Sequence, residues 1–250
     1  MDTLRIISWN CRVGGFRYKS ANIEPLRADI LAVQEVEPID NVLIFGGVEQ
    51  PTFRNQIRDP AYPRRSIGLF SYTDAKIRAV DETDTQYAFR RFIVNKGFLE
   101  FNLAAVWTCA TSTKATSYMQ AHDGIVRHRE WIQERPTVIL GDLNMDASYR
   151  NSALPSLINL TDELGLVSAY HIFFGEEFGV ETRHTHFHKG NAAVAFHLDY
   201  CFVPASWSPF IRQVTVGDHL AWAKVSDHVP LIVDLWIPPA DSSSQVPLTV

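Results

Sequence analysis

The chain has 250 residues, of which 46% are hydrophobic and 20% are charged, and its formal net charge is −5. This length and composition fit one soluble globular domain, and no run approaches the roughly 18 apolar residues of a membrane-spanning helix. The acidic balance lacks the overall basic charge typical of nucleic-acid-binding proteins, although it leaves room for a local basic face.

Apolar runs, hydrophobic periodicity and turn signals predict the elements in chain order. We expect a strand at Leu4–Trp9, a helix at Tyr18–Arg27, strands at Ile30–Glu35, Ser66–Tyr72, Tyr87–Val94 and Phe98–Trp107, a helix at Thr116–Glu134, a strand at Thr137–Leu140, a helix at Leu154–Leu164, and strands at Arg183–His188, His197–Val203, Arg212–Val216 and Val229–Trp236. The triplet Asn95-Lys96-Gly97 predicts a hairpin between two of these strands.

Many strands with few helices predict an α/β protein in which two β-sheets pack together and helices cover the outside. We assign residues 1–237 to one domain. Residues 238–250 begin with two prolines and continue with a serine-rich polar stretch. This composition predicts a disordered tail.

The cysteines and the first residues bear on the cellular compartment. Cys11, Cys109 and Cys201 each lie within or beside an apolar run. This odd, sparse number argues against a disulfide framework, and the spacing matches no zinc site. Residues 1–5 also lack the basic segment and apolar core of a secretory signal. We therefore expect reduced core thiols and a cytoplasmic protein.

Four short polar motifs stand at the ends of apolar runs. They are Ser8-Trp9-Asn10, Gln34-Glu35, Gly141-Asp142-Leu143-Asn144 and Ser226-Asp227-His228. Because an unpartnered buried polar group costs about 1–3 kcal/mol, we expect these side chains to gather at one edge of a sheet. Carboxylate and amide oxygens suit Mg²⁺ or Mn²⁺, and a histidine beside an aspartate can carry a proton. Together the motifs predict metal-assisted hydrolysis of a phosphate ester.

The order of these motifs, with Asp199-Tyr200 before the last one, resembles the endonuclease/exonuclease/phosphatase superfamily. That group includes pancreatic-type deoxyribonucleases, abasic-site endonucleases, sphingomyelinases and inositol polyphosphate 5-phosphatases. The resemblance extends from Leu4 to Ile237, and it depends on all the motifs in order, since each one alone is weak. It implies a four-layer α/β sandwich, with two packed mixed β-sheets flanked by helices and an active site at one end of the sheets.

The resemblance implies Glu35 as the principal ligand of a Mg²⁺ or Mn²⁺ ion, with Asn10, Asp142 and Asp227 as further ligands or supports. Whether one metal ion binds or two is left open. A strand-end carboxylate that points to solvent is the alternative for Glu35, and an asparagine that forms a turn is the alternative for Asn10.

The resemblance also implies the catalytic groups. His228 binds the scissile phosphate or acts as a general base, and Asp199 hydrogen-bonds this histidine. Asp142 orients or deprotonates the attacking water, while Asn144 and Asn10 contact the phosphate. The alternatives are an Asx turn for the Asp142 motif and a satisfied core histidine for His228.

One position departs from the family pattern. Many relatives carry a histidine or tyrosine near the end of the middle strand, where this chain has Trp107. An indole N–H can donate to the substrate but cannot shuttle protons at neutral pH. Leu99, Phe101, Leu103, Ala105 and Trp107 alternate along that strand, so a core role for Trp107 has equal weight.

A group of histidines offers a replacement for the missing proton donor. His184, His186 and His188 alternate, so a strand would place them on one face, and His197 would share a face with Asp199. Our hypothesis is that His188 or His197 supplies the donor, with Arg183 and His186 among the substrate-binding residues. The alternatives are a transition-metal site and exposed histidines without a role.

The leading functional hypothesis is a metal-dependent nuclease that cleaves DNA or RNA and acts as a monomer without an obligate protein partner. Arg58, Arg64, Arg65, Arg90, Arg91, Trp207 and Trp222 are the residues considered for nucleic-acid contacts. Solvated charges and core aromatics are the alternatives for this set. A phosphatase or phosphodiesterase for a small or lipid-linked phosphate fits the acidic charge better. A catalytically weak phosphate-binding module is the third hypothesis.

Overall fold

The computed structural model describes residues 2–37, 66–80, 89–108, 114–149 and 152–237. Several sequence-based expectations lie outside these ranges. They concern the environment of Cys109, the arginines Arg58, Arg64 and Arg65, and the tail from residue 238 onwards.

The described strands are, in chain order, β1 (Thr3–Asn10), β2 (Ile30–Val36), β3 (Ser66–Phe70), β4 (Lys76–Ala79), β5 (Phe89–Lys96), β6 (Leu99–Trp107), β7 (Thr137–Asp142), β8 (Leu166–Ser168), β9 (His186–Phe187), β10 (Ala195–Phe196), β11 (Asp199–Pro204), β12 (Ile211–Val216) and β13 (Leu231–Trp236). The described α-helices are α1 (Phe16–Ile23), α2 (Lys114–Arg127), α3 (Arg129–Gln133), α4 (Leu154–Glu163), α5 (Ala169–Phe174) and α6 (His219–Trp222). None of the described helices is long and apolar enough to cross a membrane.

The strands form two mixed sheets and a separate short hairpin. One sheet has five strands in the order β12-β13-β1-β2-β3, and the other has six in the order β4-β5-β6-β7-β11-β8. The pairs β1–β2 and β6–β7 are parallel, whereas β1–β13 and β5–β6 are antiparallel. The predicted hairpin joins β5 to β6, and Gly97 in its turn has a φ of +58°.

Alternating apolar side chains explain why the two sheets stack. Leu99, Phe101, Leu103, Ala105 and Trp107 share one face of β6 and join the core between the sheets. The outer face of the six-stranded sheet packs against α2, α3 and α4, and that of the five-stranded sheet packs against α1. The predicted four-layer α/β sandwich is confirmed.

The helix predicted over Thr116–Glu134 is divided into α2 and α3. The break is at His128, whose φ of −108° and ψ of 22° are not helical. The ring of His128 stacks on Phe89 in β5, with 5.5 Å between the centroids. Gly124 also lies against the Phe89 side chain. A Cβ added to this glycine would be only 2.7 Å from Phe89. Contact with the sheet therefore interrupts a helix that periodicity alone predicts as continuous.

Two other predicted elements are shorter than expected. The helix predicted over Tyr18–Arg27 ends at Ile23, because Pro25 has no N–H to continue the ladder, and a 3₁₀ turn follows. The strand predicted over Arg183–His188 is reduced to β9. The N–H of Thr185 donates to the carbonyl of residue 196 at 3.0 Å, while its own carbonyl accepts from residue 229 at 2.8 Å. The segment therefore pairs with two partners in succession and forms no long strand.

Strand register carries the polar motifs to one end of the sandwich. Asn10 pairs with Gln34 across β1 and β2, and Asp142 pairs with Asp199 across β7 and β11. Contacts between β1 and β7 connect the two sheets at this end. The motifs of both sheets therefore meet, and Asn10 of β1 bonds to Asp142 of β7.

Candidate active site

Asn10 joins carboxylates that come from both sheets. It is the last residue of β1 and is buried, and its Nδ2 donates to Glu35 Oε1 at 3.3 Å and to Asp142 Oδ2 at 2.9 Å. Its Oδ1 accepts the N–H of Arg12 at 2.9 Å, so the expected turn is present as well. Since Glu35 lies near the end of β2 and Asp142 ends β7, one amide holds two carboxylates close together.

The backbone at Glu35 is strained. Its φ is +59°, at the point where the pairing of β2 with β3 shifts register between Val33 and Val36. A left-handed conformation in a residue other than glycine costs about 1–3 kcal/mol and concentrates at functional sites. The N–H of Val13 donates to Oε2 of Glu35 at 2.7 Å. The Glu35 carboxylate is therefore fixed by a backbone hydrogen bond, unlike the solvent-facing carboxylate considered as the alternative.

Asp142 is fully buried, and both of its carboxylate oxygens accept hydrogen bonds from Asn144. The N–H of Asn144 donates to Oδ1 at 2.9 Å, and its Nδ2 donates to Oδ2 at 3.0 Å. The Asx turn considered as an alternative is therefore part of the cluster. Burial raises the pKa of Asp142 to about 7, against the opposing effect of the His228 charge.

Gly141 allows this arrangement because β7 comes very close to β6. Its φ is +147°, and an added Cβ would lie 1.8 Å from the carbonyl oxygen of Val106. No other residue fits there without moving the strand, so the glycine fixes the position of Asp142.

His228 is oriented by Asp199. Nδ1 of His228 lies 2.8 Å from Oδ2 of Asp199, and we assign the proton to Nδ1 on this contact. Burial lowers the pKa of His228, but the carboxylates of Asp199 and Asp142 outweigh it and raise the pKa to about 9. Nε2 is 3.9 Å from Oδ2 of Asp142, too long for a hydrogen bond, and it can donate to a bound anion.

Two hydroxyl groups that the sequence did not single out support this pair. The Oγ1 of Thr185 accepts the N–H of Asp199 at 3.0 Å. The Oγ of Ser226 donates to the carbonyl of Asn10 at 2.8 Å and accepts the N–H of His228 at 3.1 Å. Their positions, inside the histidine run and at the start of the Ser-Asp-His motif, were the only signals in the sequence.

The structure brings His186 next to His228. The ring centroids are 4.6 Å apart, and the two residues form an isolated antiparallel bridge. Nδ1 of His186 is buried and has no hydrogen-bond partner among the described residues. Burial and the charge of His228 lower the pKa of His186 to about 3. His186 is therefore a neutral imidazole beside a charged one.

The two histidines proposed as donors have different surroundings. His188 is exposed, and its ring centroid is 6.2 Å from that of His186. His197 is fully buried, with Nδ1 2.9 Å from the carbonyl of Arg183 and its ring 4.4 Å from that of Tyr170. The sequence predicts His197 on the same strand face as Asp199. It does not lie on that face, because residue 197 precedes β11 and does not follow the alternation of side chains along this strand.

Two predicted substrate-binding residues, Trp107 and Arg183, have packing or ion-pair contacts of their own. Trp107 is 5% exposed and lies in the core between the sheets, which favours the packing alternative. The guanidinium of Arg183 is 3.0 Å from Glu176 Oε1 and covers the ring of Phe174. Trp107 nevertheless pairs in register with Asp142 across β6 and β7, so its role at the site stays a prediction.

The aromatic and basic residues considered for nucleic-acid contacts mostly pack against other side chains of the protein. Trp207 is buried, and the ring of Trp222 is 5.2 Å from that of Trp9. Arg90 is only 4% exposed, and Arg91 lies over an indole ring. Within the described ranges, this arginine pair does not form a basic face.

The oxygen donors of the site fit a hard divalent cation. Glu35 and Asp142 accept from the same amide, so two carboxylates lie close together, and Asp199 Oδ1 is buried without a partner among the described residues. Such a set suits Mg²⁺ or Mn²⁺. Asp227, the remaining predicted ligand, is at the rim, where its Oδ2 is 3.3 Å from Nε of Arg12.

Comparison with solved structures shows similar folds. AP endonuclease LMAP from Leishmania major has 12% sequence identity and a TM-score of 0.71, over 94% of this chain and 88% of that one. The 3′ phosphatase NExo (D146N) from Neisseria, bound to product DNA hairpin, has 14% identity and a TM-score of 0.67, over 93% and 99%. An AP endonuclease from Archaeoglobus fulgidus has 13% identity and a TM-score of 0.66, over 92% and 98%. At these identities the likeness establishes the fold.

Comparison of sequences places the chain in a family. No curated protein sequence matches it. A sequence profile of the Endonuclease/Exonuclease/phosphatase family matches residues 7–228, which include the polar motifs from Asn10 to His228. Since this match spans most of the chain, the resemblance noted from the motifs is confirmed, and the chain belongs to the Endonuclease/Exonuclease/phosphatase family.

Proposed function

We propose that the chain is a divalent-metal-dependent hydrolase of phosphoester bonds and, within that class, a nuclease that cleaves DNA or RNA. Family membership supports the reaction class. The observation that carries the proposal is the junction of Glu35, Asn10 and Asp142, with the charged His228 3.9 Å from the same Asp142 oxygen.

The metal has a defined place in this proposal. Glu35 would hold Mg²⁺ or Mn²⁺, with Asp142 as the neighbouring carboxylate. Because the Nδ2 of Asn10 faces both carboxylates, its Oδ1 would serve as a ligand after the amide turns over. When bound, the ion would polarise a non-bridging phosphate oxygen and offset developing negative charge.

The side chains divide the remaining chemistry. A pKa of about 9 keeps His228 protonated at neutral pH, so we assign it to binding the phosphate and not to abstracting a proton. A pKa of about 7 suits Asp142 to accept a proton from the attacking water. Asn144 Nδ2 donates to that carboxylate at 3.0 Å and to the carbonyl of Thr108 at 2.6 Å, so Asn144 would exchange one of these bonds for a bond to the phosphate. Asp199 holds the tautomer of His228.

Nucleic acid is the proposed substrate because the similar solved structures include AP endonucleases and a 3′ phosphatase with a DNA hairpin. A second candidate is a small or lipid-linked phosphate. The observations in its favour are the net charge of −5 and the burial of Arg90, which removes one expected phosphate-backbone contact.

A substrate panel tests both candidates. Supercoiled, linear, single-stranded and abasic DNA, RNA and soluble phosphomonoesters would be incubated with Mg²⁺, Mn²⁺ or EDTA. We expect metal-dependent cleavage of a nucleic acid, lost in Glu35→Gln and His228→Asn. Glu163→Gln, an exposed carboxylate on α4, is the matched control and should retain activity. Turnover of phosphomonoesters alone would favour the second candidate, and EDTA-resistant cleavage would refute the metal dependence.

A further inference from the structure

The pairing of His186 with His228 has a specific geometry. The N–H of Phe187 donates to the carbonyl of Asp227 at 2.7 Å, and the N–H of Val229 donates to the carbonyl of Thr185 at 2.8 Å. These two bonds flank residues 186 and 228, which makes them a non-hydrogen-bonded antiparallel pair. In such pairs the side chains come closest together, and here the imidazole centroids are 4.6 Å apart.

The ligand atoms of this pair are available. Nδ1 of His186 is buried without a hydrogen-bond partner among the described residues. His228 uses Nδ1 for the carboxylate of Asp199, which leaves Nε2 free to ligate and repeats the carboxylate–histidine–metal arrangement of many metal sites. The carboxylate of Asp227 completes a set whose ligand atoms all lie within 4.8 Å of one another.

We propose that His186, Asp227 and His228 form a second metal site, selective for Zn²⁺ or a similar transition metal over Mg²⁺. Two imidazoles and one carboxylate are the donors such ions prefer, whereas Mg²⁺ favours oxygen ligands. The site is therefore chemically distinct from the oxygen set around Glu35.

Binding requires Nε2 of His228 to release its proton to solvent, and two rearrangements accompany it. Zinc bonds of about 2.0–2.2 Å place tetrahedral ligands roughly 3.5 Å apart, so the side chains close by about an ångström. Asp227 must also release Arg12, whose side chain is 46% exposed and 3.3 Å away. Ion pairs this exposed contribute little, so a transition metal displaces the arginine readily.

Zinc binding by tag-free, full-length protein tests the proposal. Competition with a chromogenic zinc chelator, in excess Mg²⁺, should show a site whose affinity falls at least about tenfold in His186→Ala and in Asp227→Asn. His122→Ala, a histidine on α2, is the matched control and should bind Zn²⁺ like the wild type. Unchanged affinity in His186→Ala, or no zinc binding by the wild type, would overturn the site.

Spectroscopy gives an independent readout that needs no variant. X-ray absorption on the zinc-loaded wild type should show two imidazole ligands, whereas a shell of oxygen alone would contradict the proposal. Glu35→Ala should retain this zinc binding, because the residue is not a ligand of the second site.

A consequence for activity rests on the proposed function. Because Zn²⁺ occupies His228, it should inhibit Mg²⁺-supported hydrolysis, and the ratio of rates with and without Zn²⁺ should be closer to one in His186→Ala. Zinc binding without any turnover would leave the metal site standing and refute only the proposed enzyme. Equal fractional inhibition of both proteins would contradict the assignment of His186.

Discussion

Nδ1 of His228 lies 2.8 Å from Oδ2 of Asp199, and both side chains are buried at the junction of the two sheets. The contact fixes the ring and supports its positive charge, so Nε2 can meet an anionic phosphate. Thr185 holds the backbone of Asp199, and Ser226 holds that of His228. The imidazolium that we propose binds phosphate is thus held by side chains from distant parts of the chain.

The first prediction concerns this contact. Asp199→Asn keeps the size of the side chain but removes its charge, so the pKa of His228 should fall from about 9 towards its ordinary value of 6.5. We expect turnover to drop by about 10²-fold or more. An NMR titration of the ring, with the pH profile of kcat/KM, measures both effects. Asp162→Asn, an exposed change on α4, is the control, and an unaltered His228 titration would contradict the role of Asp199.

The second prediction concerns Gly141. Gly141→Ala puts a Cβ 1.8 Å from the carbonyl oxygen of Val106, so we expect a loss of at least about 3 kcal/mol in unfolding free energy. Gly97→Ala is the matched control because its φ is also positive, at +58°, but nothing lies within 4 Å of the new Cβ. It should cost about 1–2 kcal/mol. Equal losses in urea denaturation would show that the close approach of β6 and β7 is not the constraint.

The third prediction concerns pH and Glu176, which anchors the segment that leads to Thr185 and His186. Burial would raise the pKa of Glu176, but hydrogen bonds from Thr182 and Tyr170 lower it to about 2. A lowered pKa means that this carboxylate stabilises the fold fully above pH 4.5 and loses that effect as the pH falls towards 2.

Glu176→Gln should therefore lower the unfolding free energy by about 2 kcal/mol at pH 7 and by progressively less towards pH 3. Urea denaturation across this range measures the difference from the wild type. Glu177→Gln, the exposed neighbour, should show no such trend. A penalty for Glu176→Gln that is the same at pH 7 and pH 3 would contradict the charge-based explanation.

The fourth prediction concerns ligand-induced stability. Mg²⁺ that binds only the folded protein should raise its unfolding free energy, by about 2.7 kcal/mol at 100 times the dissociation constant. Glu35→Gln should lose most of this increase because it removes the proposed principal ligand. Thermal melts with and without Mg²⁺ measure the effect, and Glu163→Gln serves as the control. The same Mg²⁺-induced shift in Glu35→Gln and the wild type would place the ion elsewhere.

The convergence of the motifs could be predicted from sequence, since polar groups at strand ends meet wherever neighbouring strands share a register. Asn10, Asp142 and Asp199 follow this rule. The left-handed backbone of Glu35 could not be foreseen, because it arises from a shift in strand pairing that no local residue pattern marks.

The histidine run shows a second limit. Alternation at His184, His186 and His188 predicts one continuous strand face, but the backbone of Thr185 bonds to two different partners and leaves only a short strand. Which histidine meets His228 is thus decided by long-range pairing with the residue 227–229 segment. Periodicity along the chain contains no information about that contact.

Anomalous diffraction from crystals soaked in Mn²⁺ tests the central claim most directly, namely that Glu35, Asn10 and Asp142 form a divalent-cation site beside His228. We predict a peak about 2.0–2.3 Å from a Glu35 carboxylate oxygen, next to the Asn10 and Asp142 side chains. A Mn²⁺ peak at remote carboxylates, with none at Glu35, would contradict the account.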